Sequence, residues 1–290
     1  MSELSSPLGL IAGNGGFPLE FAANAKRRGI DLVVLAHHGE TDPKIEDLAR
    51  RCVWIHAGQV GRIVRVLRRE GVRQAAMVGG LRRTRLFFGL RPDLKGLALI
   101  AKLAGRKDDQ VLRAFAAELG RNGIEVVPAS CLLERSVPGR GTMTRRPLSE
   151  MEARDARLGW EAAKAIGALD IGQTVVVFQG TVIAVEAVEG TDAAIARAGA
   201  LTGTDCGSAE SRRGCGLVVV KVLKPGQDTR FDLPAAGPDT IAAMQRAGAT
   251  ALVLEAGKCV MLNPQETVEA ADAGGVALCA AAGVEDLQGG

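Results

Sequence analysis

Tyrosine is absent from this 290-residue chain, and aromatic residues make up only 3% of it. Proteins that carry single-stranded nucleic acid stack its bases on aromatic platforms, so no nucleic-acid partner is expected. Histidine occurs three times, at His37, His38 and His56. That is too few for a dinuclear, histidine-rich phosphoesterase centre. The six cysteines (Cys52, Cys131, Cys206, Cys215, Cys259 and Cys279) form no C-x-x-C pair, and most sit in apolar runs, as reduced, buried thiols do. Residues 1–7 do not read as a signal peptide, and no apolar run reaches the ~18 residues of a membrane span. A cytoplasmic protein is expected. The motifs H-E-x-x-H, G-x-S-x-G and G-x-x-x-x-G-K-[ST] are all missing.

What is present is an ordinary globular balance, 47% hydrophobic and 24% charged. At ~100–200 residues per domain the length implies two. The charge divides accordingly: residues 1–145 hold 24 Lys/Arg against 14 Asp/Glu, and residues 146–290 hold 12 against 19. A basic half attracts phosphate or anionic lipid, and clustered carboxylates can hold a divalent cation. Solvated surface and attraction between the halves would produce the same asymmetry.

Hydrophobic periodicity alternates along the first 130 residues. Strands are expected at 8–12, 30–36, 52–57, 74–78 and 125–128, and helices at 18–28, 43–51, 60–70, 94–104 and 109–122. Strand and helix in alternation predict an α/β fold, a Rossmann-like, doubly wound N-terminal domain over 1–133. Residues 134–147, with Pro138, Gly139, Gly141, Pro147 and four arginines, read as a linker. Over 148–290 the pattern predicts a C-terminal mixed α/β domain with a partly antiparallel sheet. Its helices are expected at 150–166, 192–200, 238–247 and 264–273, and its strands at 174–178, 182–187, 217–223 and 251–255.

Gly13, Asn14, Gly15 and Gly16 follow the first strand and open a helix. They resemble the start of a dinucleotide fingerprint, but Pro18 stands at the third glycine, and His37 and His38 stand where the ribose-binding acid belongs. What remains is either a tight turn or an anion site at a helix N-terminus; Gly79 and Gly80 repeat the signal. His38, at the strand edge, could contact ligand, though capping is the commoner role for such a histidine. Arg62, Arg65 and Arg69 form a stripe, usually a solvated face. The segment 81–91 packs Arg82, Arg83, Arg85 and Arg91 around Phe87, Phe88 and three leucines. That pattern suits an interfacial, anionic-lipid surface or a packed interface.

Two acidic clusters lie in the second half. Glu186, Glu189 and Asp192 straddle Gly190 at a strand-to-helix junction, where Asp192 also reads as an N-cap. Lys221, Lys224, Gln227, Asp228, Arg230 and Asp232 follow the most apolar strand, on a loop pinned by Pro225, Gly226 and Pro234. Carboxylates that hold Mg²⁺, beside Lys and Arg that take phosphate oxygens, suit hydrolysis of a phosphoric anhydride. A structural salt-bridge loop is the alternative. Asp228 is expected as metal ligand or as the group orienting water, with Asp232, Glu186, Glu189 and Asp192 as further Mg²⁺ ligands. Lys221, Lys224 and Arg230 are expected as catalytic cations.

These motifs resemble one family, the UDP-2,3-diacylglucosamine pyrophosphatases of lipid A biosynthesis that are not calcineurin-like. The resemblance runs through LGLIAGNGGFP at 8–18, VGG at 78–80, KDDQVLRAF at 107–115, DIGQ at 170–173, EAVEGTD at 186–192 and VKVLKPGQDTRFDLP at 220–234. Ala235-Ala236 departs from it, where a β-branched pair is expected. The resemblance implies a Mg²⁺-dependent hydrolase that yields UMP and 2,3-diacylglucosamine 1-phosphate, with lipid held between two domains. Gln173, Thr191 and Gln227 join Gly13–Gly16, Gly79, Gly80, Arg82, Phe87 and Phe88 as substrate contacts. The expected partners are the substrate, its lipid product and an anionic membrane surface, with peripheral attachment to the inner membrane. A homodimer is expected only as the commonest assembly. The rival functions are a nucleotide-linked oxidoreductase and a sensor that binds the same ligand intact.

Overall fold

A computed structural model describes residues 4–81, 91–103, 108–203, 216–231 and 233–289. Arg82, Arg83, Arg85, Phe87, Phe88, Asp232, Cys206 and Cys215 lie outside the described residues. The chain divides into two compact units. One comprises residues 1–134 together with 228–232, and the other 135–227 with 233–290.

The first unit is built on five parallel strands: β1 (Leu8–Ala12), β2 (Leu32–His37), β3 (Arg51–Ile55), β4 (Gln74–Val78) and β5 (Glu125–Val127). Their order is β3-β2-β1-β4-β5. β1 and β2 are buried along their whole length, as expected of parallel strands covered on both faces. The helices are α1 (Phe17–Arg27), α2 (Val60–Arg69), α3 (Leu94–Leu103) and α4 (Asp108–Arg121). α2 buries Val60, Ile63, Val64 and Leu67 and leaves Arg62, Arg65 and Arg69 to solvent, so its arginine stripe is a solvated face. Ile11, Val33, Leu35, Leu67 and Leu119 form the core on that side, and Phe231 joins them from far along the chain. The helix expected at 43–51 is instead a short 3₁₀ turn, Pro43–Leu48, because the chain is extended again by Ala49. Asp42 caps it through Lys44 N.

The second unit carries a six-stranded mixed sheet in the order β6-β13-β11-β9-β7-β8. Its members are β6 (Gly141–Thr142), β7 (Thr174–Phe178), β8 (Thr181–Val185), β9 (Leu217–Lys221), β11 (Ala249–Glu255) and β13 (Ala277–Ala281). β9, β11 and β13 are parallel, whereas β6, β7 and β8 supply antiparallel pairs. β10 (Ala235–Ala236) and β12 (Val260–Met261) pair separately. One face of the sheet packs on α5 (Glu150–Ala168), with Trp160 in that core. The other carries α6 (Thr191–Thr202), α7 (Pro238–Ala247) and α8 (Pro264–Ala273). A Ser149–Glu152 capping box starts α5.

Residues 134–147 are not a free linker. Gly141–Thr142 adds the edge strand β6 to β13, and Met143 N donates to Leu278 O at 2.8 Å. Arg146 reaches the buried Glu152 at 2.7 Å and donates to Thr250 O. Main-chain pairing and a buried charge pair fix the segment to the second unit.

Candidate functional site

In the first unit the strand order reverses between β1 and β4. The crevice beyond the carboxyl ends of such strands is where open α/β sheets take ligands. Two glycine turns fill this position and zip together: Gly13 N donates to Val78 O, and Asn14 N to Gly80 O, both at 2.8 Å. A Cβ on Gly13 would lie 2.3 Å from Gly80 O, and one on Gly79 2.4 Å from Asn14 O. Close main-chain approach therefore already requires these glycines, whatever else they contact. Gly15, by contrast, has φ +86° and no neighbour for a Cβ within 4 Å. α1 starts at Gly16 without a side-chain cap, which leaves its first N–H groups at this edge.

The histidines gather beside the turns. Asn14 Nδ2 donates to Glu40 Oε2 at 2.9 Å. His37, 7% exposed, has Nδ1 2.8 Å from Ala12 O. A carbonyl can only accept, so Nδ1 carries the proton and Nε2 keeps a lone pair. Burial holds this imidazole below its ordinary pKa. The His38 ring stacks on Trp54 (5.4 Å between centroids, 29° between planes) and lies 4.6 Å from the tilted ring of His56. Desolvation, followed by the charges of Arg91, His38 and Arg62, lowers the pKa of His56. A small cavity of about 120 Å³ lies among His37, His38, Glu40, His56 and Leu81.

Asp228 and Arg230 belong structurally to this first unit and not to the C-terminal domain where the sequence order places them. Phe231, 6% exposed, is the anchor, and the Arg230 guanidinium lies 5.1 Å over its ring. Arg230 donates Nε and a terminal nitrogen to Asp228 at 2.9 and 2.6 Å, and its main-chain N donates at 3.1 Å. The Arg230 hydrogen bonds outweigh partial burial and hold the Asp228 carboxyl below the usual range, with Arg113 of α4 adding to the effect. Asp228 is thus ionised at neutral pH: it can accept a proton or a hydrogen bond, but it cannot act as an acid.

In the second unit four expected residues meet at one end of the sheet. Antiparallel pairing brings the start of β7 and the end of β8 alongside the end of β9. Gly190, at φ +87°, turns the chain from β8 into α6. Thr191 Oγ1 donates to Glu186 Oε1 at 2.9 Å and accepts from Lys221 Nζ at 2.7 Å. Lys221 is 5% exposed, and among the described residues Thr191 is the one side chain its ammonium bonds. Gln173 is tied in by its main-chain N to Glu186 Oε2 at 3.4 Å, and its Oε1 is buried without a hydrogen-bond partner among the described residues. A buried lysine, a hydroxyl and a helix N-terminus without a side-chain cap are groups of the kind suited to phosphate oxygens.

The other expected residues are placed differently. Lys224 pairs with Asp170 at 3.0 Å, and Gln227 closes its own turn onto Lys224. Glu189 pairs with Arg197 at 2.6 Å, and Asp192 is exposed in a groove between α6 and α7. Among the described residues, no group of three or more His, Cys, Asp or Glu is placed to hold a metal ion. Glu186, Glu189 and Asp192 therefore do not fit a resident Mg²⁺ as a set: Arg197 and Thr191 occupy two of the carboxylates, and the third faces away.

Several polar positions here were not expected from sequence. Asp170 holds Lys224 from a residue at φ +60°. Glu255, 2% exposed, accepts from Lys164, Lys258 and Leu223 N and so fixes the chain leaving β9. A carboxylate ending an apolar strand was its only signal in sequence. The Trp54–His38–His56 stack was signalled only by the scarcity of those residue types.

The fold is that of a two-unit α/β protein with polar groups gathered at the ends of its strands. Family models for the LpxI N-terminal domain and the LpxI C-terminal domain match residues 7–136 and 139–279. The chain belongs to the LpxI family. It is 36% identical over 268 residues to "UDP-2,3-diacylglucosamine pyrophosphatase LpxI" of Caulobacter vibrioides, covering 91% of this chain and 94% of that relative. Solved structures give only remote likenesses. One is the biotin carboxylase subunit of pyruvate carboxylase (14% identity, 64% of this chain and 39% of that one, TM-score 0.26). Another is the biotin carboxylase of Campylobacter jejuni (14%, 69% and 43%, TM-score 0.28). The chain spans about two fifths of those structures, and at such scores they carry no argument.

Proposed function

We propose that this protein hydrolyses the phosphoric anhydride of UDP-2,3-diacylglucosamine, releasing UMP and 2,3-diacylglucosamine 1-phosphate for lipid A synthesis. The observation that carries this reading is the 36% identity over nearly the whole of the Caulobacter vibrioides pyrophosphatase. Water attacks the sugar-side phosphorus, the bond from that phosphorus to the bridging oxygen breaks, and UMP leaves with the bridging oxygen. Asp228, ionised and held by Arg230, orients the water and takes its proton. Taken by itself, the second unit offers Lys221, Thr191 and the start of α6 to phosphate oxygens, where fixed positive groups stabilise developing charge. Lys224 is anchored by Asp170 beside them. Mg²⁺, where bound, would supply charge neutralisation at the diphosphate, and one or two of the expected carboxylates, such as Asp228 or Glu186, would hold it.

The substrate and product carry acyl chains, so the reaction belongs at the cytoplasmic face of the inner membrane. Among the described residues no helix is long and apolar enough to cross a membrane. The attachment we propose is a surface one, through the arginines and apolar residues of 82–91.

The test is incubation with UDP-2,3-diacylglucosamine and Mg²⁺, with and without EDTA. Release of UMP that EDTA abolishes is expected, with ¹⁸O from labelled water appearing in the sugar phosphate. Binding without release would make the protein a sensor, and ¹⁸O in UMP would reverse the point of attack.

A further inference from the structure

We propose that the stack of Trp54, His38 and His56 at the ends of β2 and β3 is the seat of a monocyclic nucleobase, which on the UDP-sugar reading above is the uracil. Four observations lead here. The chain has three histidines and two tryptophans, and all three imidazoles and one indole meet in this one place. Packing does not require it: His38 is exposed, and His56 and Trp54 are only half-buried. His38 stacks on Trp54 at 29° and meets a tilted His56 at 30°, and the outer faces of such a ring cluster are a surface that a further ring can extend.

The position is also that of a nucleoside. In an open α/β sheet whose order reverses between β1 and β4, phosphates lie at the β1 turn and the nucleoside lies over the end of β2. Here the Asn14–Glu40 hydrogen bond joins the glycine turn directly to the loop after β2. The acid that reads a ribose in dinucleotide enzymes is replaced by His37 and His38. This edge has thus lost a ribose hook and gained aromatic faces.

Size and chemistry narrow the ligand. The cavity of about 120 Å³ beside the stack has the room of about four waters, that of one six-membered ring. Its walls offer the Glu40 carboxylate as acceptor and imidazole nitrogens as donors or acceptors. Those groups suit a base edge on which an N–H lies between two carbonyls. The positive field at His56 comes from Arg62 and Arg91 and suits the attached phosphate.

The test measures nucleotide binding independently of turnover. UMP should quench Trp54 fluorescence in the intact protein, ribose 5-phosphate should not, and the quench should vanish in Trp54→Phe. His38→Ala and His56→Ala should each raise the UMP inhibition constant and the substrate KM at least about fivefold, the scale of one lost base stack, with kcat nearly unchanged. His38 is exposed, so its replacement does not threaten folding. If UMP release proceeds but UMP leaves Trp54 unquenched and both histidine variants keep their constants, the base lies elsewhere and the hydrolase reading stands. If UMP quenches Trp54 but no hydrolysis occurs, the base site stands and the hydrolase reading fails. AMP binding as tightly as UMP would overturn the monocyclic assignment.

Discussion

Lys221 Nζ donates to Thr191 Oγ1 at 2.7 Å, joining the end of the most apolar strand to the first residue of a helix. The hydroxyl passes the link on to Glu186. Replacing Lys221 with Met keeps the buried stem and removes the charge. The expected outcome is a loss of turnover of about 100-fold, the scale of losing one stabilising donor in the transition state, with the thermal midpoint unchanged or higher. Steady-state kinetics and a melting curve on the same preparation check both halves.

Asp228→Ala should lower kcat by at least about 100-fold, and Asp228→Asn should do nearly the same, because the amide cannot accept the water's proton. Substrate binding should be retained in both. Turnover near wild type in either folded variant would remove Asp228 from the reaction.

Of the three acids around Gly190, the geometry singles out Glu186. Its carboxylate holds Thr191, whereas that of Glu189 is committed to an ion pair with Arg197, about half exposed, and Asp192 faces a groove. Glu186→Ala is expected to cost about tenfold or more in activity. Glu189→Ala and Asp192→Ala should stay within about threefold, since exposed pairs contribute only ~0.2–1 kcal/mol. Mg²⁺ titrations of all three should share one midpoint; a shift confined to Glu189→Ala would restore it as a metal ligand.

Acid should loosen the second unit first. Glu152, 1% exposed, loses by burial but gains more from Arg146, the Ser149 main chain and Thr250, so its carboxyl sits below its ordinary value of 4.5. A depressed pKa stabilises the fold above the unfolded value, and that contribution is lost as pH falls through the folded one. The thermal midpoint should be flat from pH 7 to 5 and fall below about 4.5. Glu152→Gln should cost about 3–5 kcal/mol at pH 7, because it strands Arg146, and should flatten the acid limb.

The parallel sheet of the first unit was legible because β1, β2 and β4 are short apolar runs separated by amphipathic helices, a pattern with one reading. β13 was not: Ala277–Ala281 is alanine-rich, and only pairing with β11 makes it a strand. Likewise Gly141–Thr142 has composition suited to a loop and becomes an edge strand through β13 alone. The family resemblance put Gln173 and Thr191 on one shortlist with Glu186 and Lys221, and the antiparallel β7–β9 pairing is what brings them together. Asp228 was visible as a residue but its unit was not, since nothing local to the loop reports that Phe231 fills a core built from residues 11–126. The ring contacts of His38 were not legible, because packing between neighbouring strands leaves no sequence period.

That Phe231 plug has a consequence for how the gene can be cut. The backbone passes from one unit to the other at three places, after residues 134, 227 and 232. A fragment ending at residue 134 therefore carries the first sheet without the side chain that completes its interior, a deficit on the scale of Phe→Ala, about 3–5 kcal/mol. The two halves can be recognised separately by sequence, yet a cut at residue 134 is expected to leave the first half less stable than it is in the full chain. The peptide that carries Asp228 also carries Phe231, so recombination that loses this loop removes that core side chain with it.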